Sequence, residues 1–432
     1  MESSNVEYMA LTASPLINGE TRLVITDKAL ALTTTLDALE ISFSEMNALD
    51  LTDYIVTVRA DSGDYIFSKL GNWCEPFFIK LSEAYNKAVL RSLFIKEAPV
   101  VTAKGDYRYT EAGISAAGSA PVYVYDNCVV VLPLDLGARR VPLCFTSGMD
   151  KGDFELTLSL DTGEAYTWAK LGYDTAPFAQ AVEQQMRTLR EKSLAAIKEI
   201  DTSLSSVEGM QLVKAIPQGA AASFGALTAI APSFAAALEE KIADTRAAEG
   251  YKAFKEICDP QKIYIGFRKN ETAEGAEGAE NGVKMTQLIE AAGNGEPSEA
   301  FDGLIPDGAV TDGSEEEAPD PWLLWLIAPS PDERFAAVEF AEPNSATFVY
   351  KTGGDFSGFA RQLSRALEAI DFKREVIRLS DADLRKPENA DYYMAAKRTA
   401  ALAFIRANFV GRVIHSSPEA WKRKLEEYWS GA

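Results

Sequence analysis

Apolar and polar positions alternate in short runs through the first hundred residues. Val6 to Leu11, Arg22 to Thr26, Ala29 to Thr33, Leu39 to Phe43, Tyr54 to Arg59 and Asp64 to Lys69 each read as a strand, because side chains two apart share one face of an extended chain. The period then changes. Phe77, Leu81, Tyr85 and Val89 are spaced by four, which lines one face of a helix and predicts that a single helix closes the unit. Pro76 falls near its first turn, where a missing amide hydrogen costs nothing.

The pattern then recurs. Residues 23–64 lie over residues 123–164 without a gap, and one added residue at the turn makes the later offset 101. Tyr65, Phe67, Lys69, Leu70 and Gly71 match Tyr166, Trp168, Lys170, Leu171 and Gly172, and Pro76-Phe77 matches Pro177-Phe178. Phe178, Val182 and Met186 repeat the helical spacing. A period of this length is that of a domain, so a whole fold was duplicated. Asp61-Ser62-Gly63-Asp64 and its copy Asp161-Thr162-Gly163-Glu164 put glycine where a tight hairpin needs a positive φ.

A weaker third copy is predicted from strands at Lys262 to Arg268, Trp322 to Ile327, Ala337 to Phe340 and Thr347 to Tyr350. Its closing helix would run from Asp355 to Ile370, with Phe359, Leu363, Ala366, Leu367 and Ile370 on one face. The expected organisation is a first repeat at 1–100, a second at 101–200, a helical connector at 201–260, a divergent third repeat at 261–375 and a helical extension at 376–432. In that extension Leu402, Ile405, Phe409 and Val413 form one apolar helical stripe, and Ser417-Pro418 caps a last helix carrying Trp421, Leu425 and Trp429.

A series of strands closed by one amphipathic helix within a hundred residues resembles the pleckstrin-homology-like (PH-like) barrel. The likeness is carried by Tyr65, Phe67, Leu70, Phe77 and Leu81 and by Tyr166, Trp168, Leu171, Phe178 and Val182. It implies an α+β chain of repeated antiparallel barrels, each plugged by its C-terminal helix, similar to tandem domains in histone chaperones and in bacterial proteins. It also implies a protein or peptide ligand on a strand edge or beside the closing helix. Lipid-binding relatives carry basic residues between their first two strands, whereas Thr12 to Glu20 holds no lysine or arginine.

Composition narrows the function classes. The chain has 432 residues, 47% of them hydrophobic, enough for real cores. No secretory signal opens it, which predicts a cytoplasmic protein, and four scattered cysteines predict reduced, mostly buried thiols. Ala215 to Leu238 is uncharged, but Pro217, Gly219, Gly225 and Pro232 interrupt it, which argues against membrane insertion. The formal charge is −21, and between 270 and 320 fourteen carboxylates face Lys284 alone. Few apolar groups and many like charges predict a disordered insertion there, which could attract a basic partner.

Residues suited to catalysis or metal binding are sparse. His415 is the only histidine and is read as lying at a helix end, where its charge would favour the dipole. Asp61 with Asp64 and Asp161 with Glu164 are too few oxygens for calcium, and Thr352 to Gly358 lacks the lysine of a phosphate loop. No catalytic residue, cofactor or metal site is expected. Candidate interaction residues are Lys69 and Lys170, shared by both copies, and Trp73 and Tyr173, which are either exposed anchors or core. Lys397, Arg398, Lys422, Arg423 and Lys424 form the basic C-terminal portion; nucleic-acid binding lacks an electrostatic basis elsewhere. The resulting expectation is a non-enzymatic scaffold or adaptor. Its alternatives are a lipid- or membrane-surface adaptor and an enzyme with an unfamiliar carboxylate site.

Overall fold

A computed structural model describes residues 6–269, 322–341, 346–415 and 417–430. Met1–Gly266 and Leu324–Ala432 make one compact unit and Phe267–Leu323 another. The fold is mixed α+β, with three antiparallel sheets, one of them a curled half-barrel, and twelve α-helices among the described residues. The insertion expected to be disordered lies outside those residues.

The first sheet contains β1 (Glu7–Ala13), β2 (Gly19–Ile25), β3 (Ala29–Thr33), β4 (Ala38–Ser42), β5 (Met46–Thr52), β6 (Ile55–Ala60) and β7 (Gly63–Ser68), and α1 (Cys74–Ser92) follows. The second contains β8 (Val101–Glu111), β9 (Ile114–Val124), β10 (Cys128–Val131), β11 (Arg139–Pro142), β12 (Thr146–Lys151), β13 (Glu155–Leu160) and β14 (Ala165–Ala169), followed by α2 (Thr175–Ile200). Their strand orders, β4-β3-β2-β1-β7-β6-β5 and β11-β10-β9-β8-β14-β13-β12, agree position for position. The edge strands also agree: β5 has a bulge between Met46 and Ala48, and β12 has one between Thr146 and Gly148.

The shared residues are those that make each core. Tyr65, Phe67, Phe77, Leu81, Tyr85 and Val89 are buried in the first copy, and Tyr166, Trp168, Phe178, Val182 and Met186 in the second. Phe67 meets Phe77 edge-on at 6.1 Å, and Trp168 meets Phe178 in the same way at 5.5 Å. Each such side chain stabilises the fold by about 1.5–3 kcal/mol through removal from water, and an edge-on pair adds about 1 kcal/mol. Gly63 and Gly163 take φ of 121° and 89°, as the hairpins require.

Lys69 and Lys170 differ from their expected place. They lie just past β7 and β14, with φ of 59° and 55°, so each turns the chain from strand toward helix and neither continues the strand. The left-handed backbone costs an ordinary residue about 1–2 kcal/mol, and it is kept at the same position in both copies.

The connector folds into α3 (Ser206–Ala215), β15 (Ala221–Ser223), α4 (Phe224–Ile230), α5 (Pro232–Ala243) and α6 (Ala248–Ile257). Its uncharged stretch is thus broken into a helix end, a strand and two helix starts. Among the described residues no helix is long and apolar enough to cross a membrane. The third sheet runs in sequential order through β15, β16 (Tyr264–Lys269), β17 (Trp322–Pro329), β18 (Phe335–Phe340), β19 (Ala346–Lys351) and β20 (Phe409–Ile414), an order unlike that of the first two. The helix α7 (Phe356–Ala369) follows β19, with Phe359, Leu363, Ala366 and Leu367 buried.

The C-terminal portion contains α8 (Glu375–Arg378), α9 (Asp381–Leu384), α10 (Ala390–Arg398), α11 (Ala400–Asn408) and α12 (Pro418–Trp429). Ser417 caps α12 by accepting from the Ala420 amide, and Trp421, Leu425 and Trp429 are buried. The helical stripe expected through Phe409 and Val413 ends at Asn408, and those two residues belong to β20. Gly411 lies in this strand beneath Tyr428 of α12. A Cβ there would lie 2.6 Å from the Tyr428 hydroxyl, so glycine lets the Tyr428 ring lie close over this strand.

Candidate functional site

The edge strand of each copy and the helix that follows its sheet flank a groove, and the two grooves have different fates. In the first copy, the Leu49 amide on β5 donates to the Leu134 carbonyl at 2.8 Å, and Ala48 bridges Asp135 antiparallel. The loop between β10 and β11 therefore extends the sheet by one short step. Helix α10 covers the rest. Its Met394 and Arg398 are 1% exposed, and Arg398 donates to the Tyr85 hydroxyl of α1 at 2.6 Å and to the Met394 carbonyl at 3.2 Å.

Asp61 locks this cover. It accepts from Tyr393 at 2.8 Å and from Lys397 at 3.0 Å, and Lys397 also reaches the Ser44 carbonyl at 3.2 Å. Burial pushes the Asp61 carboxyl up, but the hydrogen bonds from Tyr393, Asn47 and Lys397 outweigh it and hold the group below the usual aspartate value. Arg91 and Asp391 add an exposed pair at 3.7 Å.

In the second copy the matching groove is open. A cleft of about 600 Å³ lies between β12 and α2, lined by Thr146 to Met149 on the strand, by Glu183, Met186, Arg187, Arg190, Glu191 and Leu194 on the helix, and by Met210 of α3. That volume lies within the range of ligand-binding clefts, roughly 300–1,000 Å³. The amide that corresponds to Leu49 belongs to Met149; among the described residues it has no backbone partner outside the β12–β13 ladder. Where the covered groove has Tyr85, Asn86, Val89 and Leu90, the open one has Met186, Arg187, Arg190 and Glu191. Lys151 pairs with Glu183, whereas Arg187 and Arg190 form no ion pair among the described residues.

The expected interaction residues fall elsewhere. Lys69 is exposed, and Lys170 is exposed and paired with Asp106 at 2.7 Å. Trp73 and Tyr173 are exposed by 61% and 103%, so neither belongs to the core; Trp73 only rests edge-on against Tyr8 at 6.2 Å. Lys397 and Arg398 are consumed by the cover of the first groove. Lys422 pairs with Glu256, leaving Arg423 and Lys424 exposed on α12.

His415 also corrects its expected role. It follows a strand, and its Nε2 lies 3.4 Å from the fully buried Glu339 and 3.2 Å from the Thr347 hydroxyl. The bond to Glu339 holds its imidazole above the usual histidine value, against the effect of burial. Both partners meet the same ring nitrogen and Thr347 is buried, so the trio lacks the relay through two nitrogens that a nucleophilic triad uses. A second polar interior joins the second sheet to α7: Arg140 pairs with Glu368 at 2.8 Å, and Arg365 with Glu164 at 3.3 Å. Glu164 is thus committed to an ion pair. Burial pushes the Cys128 and Cys258 thiols up to about 11 and about 12, which leaves them protonated and weakly nucleophilic at neutral pH.

No family model and no curated protein matches the chain.

Proposed function

We propose that the chain is a cytoplasmic, non-enzymatic interaction scaffold built on tandem PH-like domains, and that the groove between β12 and α2 is its working surface. The observation behind this reading is the unequal treatment of two equivalent edges. The β5 edge is satisfied by the chain itself, and the β12 edge presents its outward amide beside a cleft of about 600 Å³. An exposed edge can add a strand from another chain, with main-chain bonds giving affinity and side-chain pockets giving choice.

The test is selection of a random peptide library on the full chain, with a photoreactive group at Ser147, the exposed bulge residue of β12. Selected peptides should crosslink there and should be lost with Met149→Pro, which deletes the outward amide while respecting the tolerance of edge strands for proline. Peptides that bind without crosslinking and without sensitivity to Met149→Pro would refute the groove.

A further inference from the structure

The covered groove offers a comparison for the open one. On β5, the covering segment is an antiparallel stretch in which an apolar residue, Leu134, precedes a carboxylate, Asp135. Leu134 is half-buried against the first core, and Asp135 is exposed at the rim. The second copy keeps the bulge and the strand direction that receive such a segment, and it changes the walls.

Those walls have two parts with different chemistry. The apolar part is Met149, Met186 and Met210, three of the chain's eight methionines, brought together from a strand and two helices. Unbranched thioethers adapt to apolar side chains of several shapes, which suits a pocket for one large apolar residue. The charged part is Arg187 and Arg190. Lys151 neutralises Glu183, which leaves Arg187, Arg190 and Glu191 as the charged groups of the cleft wall that form no ion pair among the described residues. In the covered groove the same two positions are Asn86 and Val89, and the cover brings Lys397 and Arg398 to that wall.

We propose that the open groove binds an extended acidic segment of a partner protein, laid antiparallel to β12, in which a large apolar residue enters the methionine pocket and a following carboxylate meets Arg187 and Arg190. This rests on the groove reading above and adds the chemistry of the partner. Guanidinium groups favour carboxylates through paired, charge-assisted hydrogen bonds, so the acid sets preference and the strand contact sets position.

The experiment titrates the full chain into two fluorescein-labelled peptides and follows anisotropy. One is Leu-Pro-Leu-Asp-Leu, the sequence of residues 132–136; the other has lysine in place of its aspartate. The acidic peptide should bind about tenfold more tightly, the size of a charge-pair effect at a partly exposed interface. The preference should vanish in the double variant Arg187→Glu, Arg190→Glu, whose exposed positions leave folding intact, and Met149→Pro should abolish both titrations. Equal binding of the two peptides that is still lost in Met149→Pro would overturn the acidic partner while leaving the groove in place. Absence of saturable binding by either peptide overturns the proposal. Concentration-dependent dimers in sedimentation that Met149→Pro disperses would also overturn it, by making a second copy the occupant.

Discussion

At position 89 a valine lies buried beneath the chain's own helix, and at the matching position 190 of the second copy an arginine stands in water. Around them the two copies share strand order, an edge bulge, a left-handed lysine and an edge-on aromatic pair. What differs is confined to the groove walls and to what lies across them. Duplication kept the residues that make the sheet and its helix, where any change is felt throughout a packed core. It released the residues along one edge, which could be sealed in one copy and left open in the other.

The contrast is open to direct attack. Arg398→Ala removes a buried side chain and leaves the Tyr85 hydroxyl without its partner, so it should cost about 2–4 kcal/mol. Chemical denaturation of the full chain measures this, and a loss below half of that would mean that α10 is no seal. Leu134→Ala should cost less, about 1–2 kcal/mol, since that side chain is half-buried. Limited proteolysis should then cut first near α10.

The acid response tests Asp61. Its carboxyl is held below the ordinary value near 3.9. Its stabilisation is therefore complete above that value and is lost as pH falls through the lower, folded one. Asp61→Asn should remove that part of the acid dependence at a cost of less than about 1 kcal/mol at neutral pH. Carboxyl NMR that places Asp61 at or above the ordinary value would break the argument. The smallest effect belongs to the open copy: Arg190→Ala should stay within about 0.5 kcal/mol in denaturation, as for a surface site without partners. A larger loss there would show that the second groove is also part of the fold.

Much of the architecture was legible in the chain. The aromatic pairs at 65 and 67 and at 166 and 168, and the four-residue spacing from Phe77 and from Phe178, located both sheets and the helix that follows each. The strand at Met46–Thr52 was not legible. Its bulge at Asn47 breaks alternation, and Asn47, Asp50 and Thr52 leave no apolar run, so the edge strand that defines the grooves escaped detection. A signal was nonetheless present: across otherwise matching helices, Val89-Leu90 is replaced by Arg190-Glu191. Burial of Arg398 could not be read at all, because its partner Tyr85 lies 313 positions away. Likewise β20 was hidden by an apolar spacing that continues that of α11.

An unsatisfied strand edge has a price in crowded solution, where it can seed pairing between like chains. The features of β12 on which the proposed groove rests also blunt that hazard. The bulge at Ser147 interrupts the row of backbone groups, and Asp150 and Lys151 place exposed charges of both signs at the strand's end. A flat, identical neighbour would meet these interruptions in duplicate, whereas one short flexible segment need fit only between them. The bulge that hides the strand from sequence pattern is thus also a feature that works against edge-to-edge pairing of like chains.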